Sequence, residues 1–183
     1  MRFIKELPYE LTEDQKTTVD SIMNAKHRIN ALVQGDVSCG KTIVAIIAMF
    51  LCVENGYQSI LMAPKKILAM QHYNEIKEYA DKQGYSVVYL RAGMSEKEKK
   101  SAREMISNGT ANIIVGTHSC LNYDYKKLGL VVVDEEHIFG AKQKEAFNQK
   151  AESGIHFISM SATPIPRTIA SAIYGESKEI IQI

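Results

Sequence analysis

The sequence predicts a three-layer α/β domain, a mostly parallel sheet flanked by helices, and three observations support that class. Short β-branched runs alternate with helical stretches along the chain. Several of those runs lack polar alternation, as strands buried on both faces do. The glycine-rich and acidic stretches fall directly after predicted strands, where sheets of this kind bind their ligands. At 183 residues, 45% hydrophobic and 23% charged, the chain suits one packed domain and excludes global disorder. A single unit over 1–183 is expected, with 1–10 as a lead-in segment.

Leu11, Thr12, Glu13, Asp14 and Gln15 stand ahead of the first predicted helix. Thr12 reads as a helix N-cap, because its hydroxyl can accept from an amide that the first turn leaves free. The Gln15 amide can equally donate to and accept from an adenine edge, and the residues alone leave both readings open. The first predicted strand, Asn30–Gln34, runs into Gly35-Asp36-Val37-Ser38-Cys39-Gly40-Lys41-Thr42. That octapeptide has the spacing of a phosphate-binding loop and opens a predicted helix over 41–54, the context such a loop requires. Small residues let backbone N–H groups turn toward phosphate oxygens, and the helix N-terminus adds positive potential. Lys41 would then meet the β- and γ-phosphates of ATP, and the Thr42 hydroxyl would ligate Mg²⁺. The apolar run in that helix, from Ile43 to Val53, is too short for a bilayer, which takes about 20 residues. No export or membrane signal is visible, so no membrane partner and a cytoplasmic location are expected.

Strands over 59–63, 86–90, 112–115, 130–133, 156–159 and 179–183 continue the alternation with helices over 66–83, 95–107, 142–150 and 165–173. Ser95 and Glu98 have capping-box spacing at the start of one of these helices. Val131-Val132-Val133 leads into Asp134-Glu135-Glu136-His137, which puts three carboxylates and an imidazole at the end of an apolar strand. In phosphoryl-transfer sites the first such carboxylate holds Mg²⁺, partly through water, and a second orients or deprotonates the attacking water. Asp134 and Glu135 would take those two roles, against the alternative of a solvated acidic turn. Beyond the strand at 156–159, Ser161-Ala162-Thr163-Pro164-Ile165-Pro166-Arg167-Thr168 carries two prolines that stiffen a loop and start a helix. The hydroxyls of Ser161 and Thr163 could link neighbouring loops.

Twenty-two lysines and arginines nearly balance 21 aspartates and glutamates, so no overall field draws the protein onto nucleic acid and any contact must be local. Cys39, Cys52 and Cys120 are too few and too scattered for a zinc site or a disulfide framework. His27, His72 and His156 lack ligand spacing and read as ordinary surface or core residues.

Together these stretches resemble the first RecA-like motor domain of superfamily 2 DNA helicases, in particular the RecG branch, with the transcription-repair coupling factor Mfd a cousin. The similarity runs over about 7–183. It rests on the segments around Gln15, Gly35 and Asp134, on Leu61-Met62-Ala63-Pro64, Ile67-Leu68-Ala69 with Gln71-His72-Tyr73, and Val115-Gly116-Thr117-His118. Ser161 through Thr168 is the part most specific to this branch. The resemblance implies a P-loop NTPase of the RecA-like kind. Gln15 would read adenine, Gly35, Asp36, Val37, Ser38, Cys39, Gly40, Lys41 and Thr42 would bind nucleotide, and Lys41, Asp134 and Glu135 would serve hydrolysis. His137, Ser161, Ala162, Thr163 and Arg167 would couple hydrolysis to movement on DNA. Ala63, Pro64, Lys65, Lys66, Gly93, Gly116, Thr117 and His118 would grip one strand, single or within a branched duplex, largely through phosphates and without sequence preference.

Ser38-Cys39 stands where the family usually has Gly-Ser, Lys65-Lys66 where it has Thr-Glu, and Ile138 where the branch has arginine. The family's motors also need a second RecA-like domain with an arginine finger, worth roughly 10³–10⁵ in rate. This chain is therefore expected to be a fragment of a longer protein in DNA repair or recombination, nearly inactive alone as an ATP hydrolase. The alternative is a stand-alone or degenerate nucleotide- or nucleic-acid-binding module without motor activity.

Overall fold

A computed structural model describes residues 2–5, 7–23, 28–36, 39–135, 141–148, 154–162 and 179–183. The described helices are α1 (Arg2–Lys5), α2 (Glu13–Met23), α3 (Lys41–Glu54), α4 (Lys66–Gln83), α5 (Glu96–Ser107) and α6 (Ala141–Asn148). The strands are β1 (Asn30–Gln34), β2 (Gln58–Met62), β3 (Val87–Leu90), β4 (Ile113–Gly116), β5 (Leu128–Asp134), β6 (His156–Ser161) and β7 (Glu179–Gln182), and a 3₁₀ turn covers His118–Asn122. They form one sheet in the order β3-β4-β2-β5-β6-β1-β7. Every strand pairing among the described residues is parallel, so the expected mostly parallel sheet is parallel throughout.

Alternation along the strands assigns side chains to two helix layers. Leu61, Ile113, Val115, Leu130, Val132, Ile158 and Met160 face a core shared with α2, α3 and α4. Ile60, Met62, Ile114, Val131, Val133 and Phe157 face the opposite core, with α5 and Phe147 of α6. Both faces are covered, which is why these strands show no polar alternation in sequence. Helix α3 is apolar almost all round, with Ile43 through Phe50 buried, because it lies under α1 and α2 as well as on the sheet. Its bounds match the predicted helix, as do those of α4, whose chain leaves the helix at Gly84 with φ 77°, a conformation glycine adopts at no steric cost. Ser95 and Glu98 form the expected reciprocal capping box on α5.

Two elements depart from the sequence reading. The lead-in segment contains α1, whose single turn is too short to show a period. It is anchored by Phe3, buried and stacked on Phe50 with ring centroids 4.4 Å apart and edge-on to Tyr79 at 5.1 Å. The 3₁₀ turn after β4 was not foreseen either. The predicted helix over 165–173 lies outside the described residues, as do positions 149 and 150 of the one over 142–150.

Candidate nucleotide site and strand-end loops

The loop after β1 is built around two glycines with no room for a side chain. A Cβ on Gly35 would stand 2.4 Å from the Cys39 sulfur and 2.5 Å from the Ile183 carbonyl oxygen. Gly40, the N-cap of α3, has φ 89° and ψ 23°, and a Cβ there would stand 2.0 Å from Gln15 Nε2. The Lys41 ammonium lies over this loop, donating to the carbonyls of Gly35 at 2.8 Å and Asp36 at 2.7 Å, and weakly to Cys39 Sγ at 3.6 Å. Thr42 follows in the first turn of α3, half-buried. Val37 and Ser38 lie outside the described residues.

At the start of α2 the structure shows the capping reading of the Thr12–Gln15 pair. The Gln15 backbone N–H donates to Thr12 Oγ1 at 3.3 Å and its Oε1 accepts from the Thr12 N–H at 3.0 Å, so Thr12 is the N-cap of a reciprocal box. The same side chain is buried and donates from Nε2 to the Cys39 carbonyl at 3.3 Å. Gln15 thus ties the first helix to the phosphate-type loop across 24 positions of sequence.

At the end of β5, Asp134 is mostly buried, and Glu135 takes φ 56°, the left-handed backbone that glycine favours. Among the described residues it is the sole non-glycine residue in that region. Such outliers concentrate at functional sites, where the surrounding structure holds them. The residue that sequence reasoning missed is His72. It is a core histidine whose Nε2 donates to Asp134 Oδ2 at 2.7 Å, with side chains only 7% and 17% exposed, so it stands behind a candidate site residue. The signal was its place on the buried face of α4, in line with Ala69, Ile76 and Ala80, where an imidazole needs a polar partner.

The order of the strands sorts the remaining candidates. Loops after β1, β5 and β6 carry Gly35 to Thr42, Asp134 with Glu135, and Ser161 with Ala162. Those after β2, β4 and β3 carry Ala63 to Lys66, Gly116 to His118, and Gly93. The phosphate-type loop and the Gly93 turn are five strand spacings apart, about 24 Å, too far for one small ligand to touch both. The two sets meet in the middle, where Ala63, Pro64 and His118 line one crevice with Asp134 and Glu135. Lys65, Lys66, Gly93 and His118 are exposed, and Thr117 caps the 3₁₀ turn. Gly116 has a packing role of its own, since a Cβ would lie 2.6 Å from the Leu90 carbonyl oxygen and 2.9 Å from Cys120 Sγ. Ser161 is buried and pairs in register with Gln34, while Ala162 is exposed. His137, Thr163 and Arg167 lie outside the described residues.

The DEAD/DEAH box helicase family model matches residues 12–172, from the cap of α2 to beyond β6. The chain belongs to the DEAD/DEAH box helicase family. Curated relatives of this helicase domain include the ATP-dependent DNA helicase RecG of Borreliella burgdorferi, 41% identical over 96% of this chain, and that of Bacillus subtilis, 40% identical over 96%. The chain spans about a quarter of the length of these relatives, 26% of each. Among solved structures, RecG bound to a three-way DNA junction matches this helicase domain with a TM-score of 0.86 and 36% identity, over 99% of this chain and 25% of that one. The helicase MrfA bound to DNA shares the fold at 12% identity, with a TM-score of 0.73 over 100% of this chain and 29% of its own. No helix of the described residues is long and apolar enough to cross a membrane.

Proposed function

We propose that this chain is the first motor domain of an ATP-dependent DNA helicase or translocase of the RecG kind, binding Mg-ATP on one half of its strand ends and DNA on the other. The observation that carries the reading is the placement of Gly35, Gly40 and Lys41 at the N-terminus of α3, two strands from Asp134 and Glu135.

The residues fit the nucleotide and its metal. Gly35 and Gly40 add no side chains of their own at the two ends of the loop, which lets backbone N–H groups approach phosphate oxygens at a helix N-terminus. No group of three or more His, Cys, Asp or Glu side chains among the described residues could hold a metal by itself. That suits Mg²⁺, which is bound through one or two protein oxygens plus phosphates and water. Thr42 and Asp134 would supply those oxygens. When bound with ATP, Mg²⁺ would neutralise charge on the β- and γ-phosphates.

Lys41 is held over the loop by two carbonyls, and its third, weak bond to the Cys39 sulfur is the one a phosphate oxygen would replace. Glu135, on its left-handed backbone, would orient the attacking water and accept its proton. Gln15 has its Oε1 and one Nε2 hydrogen engaged, leaving a second hydrogen and a second lone pair for an adenine edge. His137, Ser161, Ala162, Thr163 and Arg167 would pass the hydrolytic state to DNA. Ala63, Pro64, Lys65, Lys66, Gly93, Gly116, Thr117 and His118 would hold its backbone, with Lys65 and Lys66 supplying charge. The similarity to RecG bound to a three-way junction supports a branched DNA substrate as part of this reading, and the reading also calls for a second RecA-like domain elsewhere in the protein to complete the site.

Titrating a fluorescent ATP analogue into this chain with Mg²⁺ tests the reading. Saturable binding that Lys41→Ala weakens at least tenfold is expected, with little turnover. Binding that Lys41→Ala leaves unchanged would overturn it.

A further inference from the structure

Helix α4 begins at the candidate nucleic-acid loop and touches the candidate metal carboxylate. Lys65 is its N-cap and Lys66 its first residue, both exposed. Six residues further, about 9 Å along the axis, His72 reaches Asp134 Oδ2 at 2.7 Å. The start of the helix is fixed to β3, because Tyr89 donates its hydroxyl hydrogen to the Lys66 carbonyl at 3.0 Å while its ring stacks on Tyr73 at 5.0 Å. Ala69, Ile76 and Ala80 bury the same face that carries His72. The Lys65–Lys66 loop and the His72–Asp134 contact therefore lie on one continuous helix.

We propose that His72 is a positioning residue for Asp134, and that through it α4 links DNA at the Lys65–Lys66 loop to the magnesium carboxylate. The inference rests on the functional reading above, and nothing in that reading uses His72. A carboxylate accepts only, so the imidazole must present Nε2–H and thereby fixes which oxygen of Asp134 remains for a ligand. Partners of this kind behind a metal ligand typically change metal affinity 10–100-fold when removed. The link is reciprocal: if DNA at α4 alters the affinity for Mg-ATP, Mg-ATP alters the affinity for DNA by the same factor.

The test compares this chain with His72→Leu, which keeps the volume and loses the donor, and His72→Gln, whose Nε2–H can stand near that of the imidazole. Affinity for a fluorescent ATP analogue is measured in EDTA, in Mg²⁺, and in Mg²⁺ with a single-stranded oligonucleotide. In EDTA the three proteins should bind alike, because His72 does not touch the loop from Gly35 to Thr42, and this equality also reports intact folding. Mg²⁺ should tighten binding to the parent, His72→Leu should lose about tenfold or more of that gain, and His72→Gln should recover part of it. The oligonucleotide should shift Mg-analogue affinity in the parent and not in His72→Leu. As a second measurement on the parent, the His72 Nε2–H proton resonance, assigned by its disappearance in His72→Gln, should move on adding Mg-ATP and stay in place with ATP in EDTA. An undiminished Mg²⁺ gain in His72→Leu, or a resonance indifferent to Mg-ATP, overturns the proposal alone. A parent that binds no nucleotide overturns the functional reading and this proposal with it.

Discussion

The amide of Gln15 occupies the space that a side chain at Gly40 would need, with Nε2 lying 2.0 Å from where a Cβ would sit. Gln15 cannot swing aside without losing either the Thr12 N–H or the Cys39 carbonyl. Gly40 also has φ 89°, which costs a residue with a Cβ about 1–2 kcal/mol. Gly40→Ala should therefore lower unfolding stability by about 2 kcal/mol or more in urea and weaken nucleotide binding further than it weakens the fold. A variant with parental midpoint and affinity would show that Gln15 is not clamped there.

Glu135 makes the opposite trade. Its φ of 56° stores backbone strain of about 1–2 kcal/mol at the position where the proposed function needs a carboxylate. Glu135→Gly should be as stable as the parent or more stable, by up to about 1 kcal/mol, because glycine enters this region without a steric penalty. Glu135→Gln should leave stability unchanged. In a protein that includes the second motor domain, both should abolish hydrolysis. A destabilised Glu135→Gly in a urea titration would mean that the carboxylate contributes more to the fold than its backbone costs.

Both of those positions lie in segments following strands that the sequence already marks, and the reason is physical. Octapeptide spacing, an apolar strand running into acid and the capping pair Ser95–Glu98 are all local patterns, and local patterns survive in one dimension. What was hidden is pairing over distance. His72 and Asp134 are 62 positions apart and Gln15 and Cys39 are 24 apart, and neither contact leaves a periodic trace. Gly116 was legible only as a loop residue, while the Leu90 carbonyl that demands its lack of a side chain belongs to a neighbouring strand. The single turn of α1 had no period to read, and Phe3 shows its purpose only once Phe50 and Tyr79 surround it.

The three thiols should react unequally. Burial pushes Cys52 and Cys120 up to about 12, so at pH 8 only about one in 10⁴ of either is thiolate, the reactive form. Cys39 is half-buried, at the edge of the loop and 3.6 Å from the Lys41 ammonium. One equivalent of iodoacetamide should be taken up quickly at pH 8, at Cys39 by peptide mass mapping, and Mg-ATP should protect it. Equal labelling of all three cysteines in the folded protein would contradict this order.

Acid should weaken the fold through His156. Its Nδ1 accepts from the Ile29 N–H at 3.0 Å, and burial, aided by the charge of Arg28, holds its pKa below the usual histidine value. The folded state then binds this proton less readily than the unfolded chain, whose imidazole titrates near 6.5. Stability from this group is complete above about pH 6.5 and is lost as pH falls through that value toward the lower folded pKa, since the unfolded state takes up the proton first. His156→Asn keeps an acceptor for the Ile29 N–H and cannot titrate. Urea midpoints at pH 7.5 and 5.5 should therefore fall less for His156→Asn than for the parent. Equal falls would assign the acid sensitivity in that window to other groups.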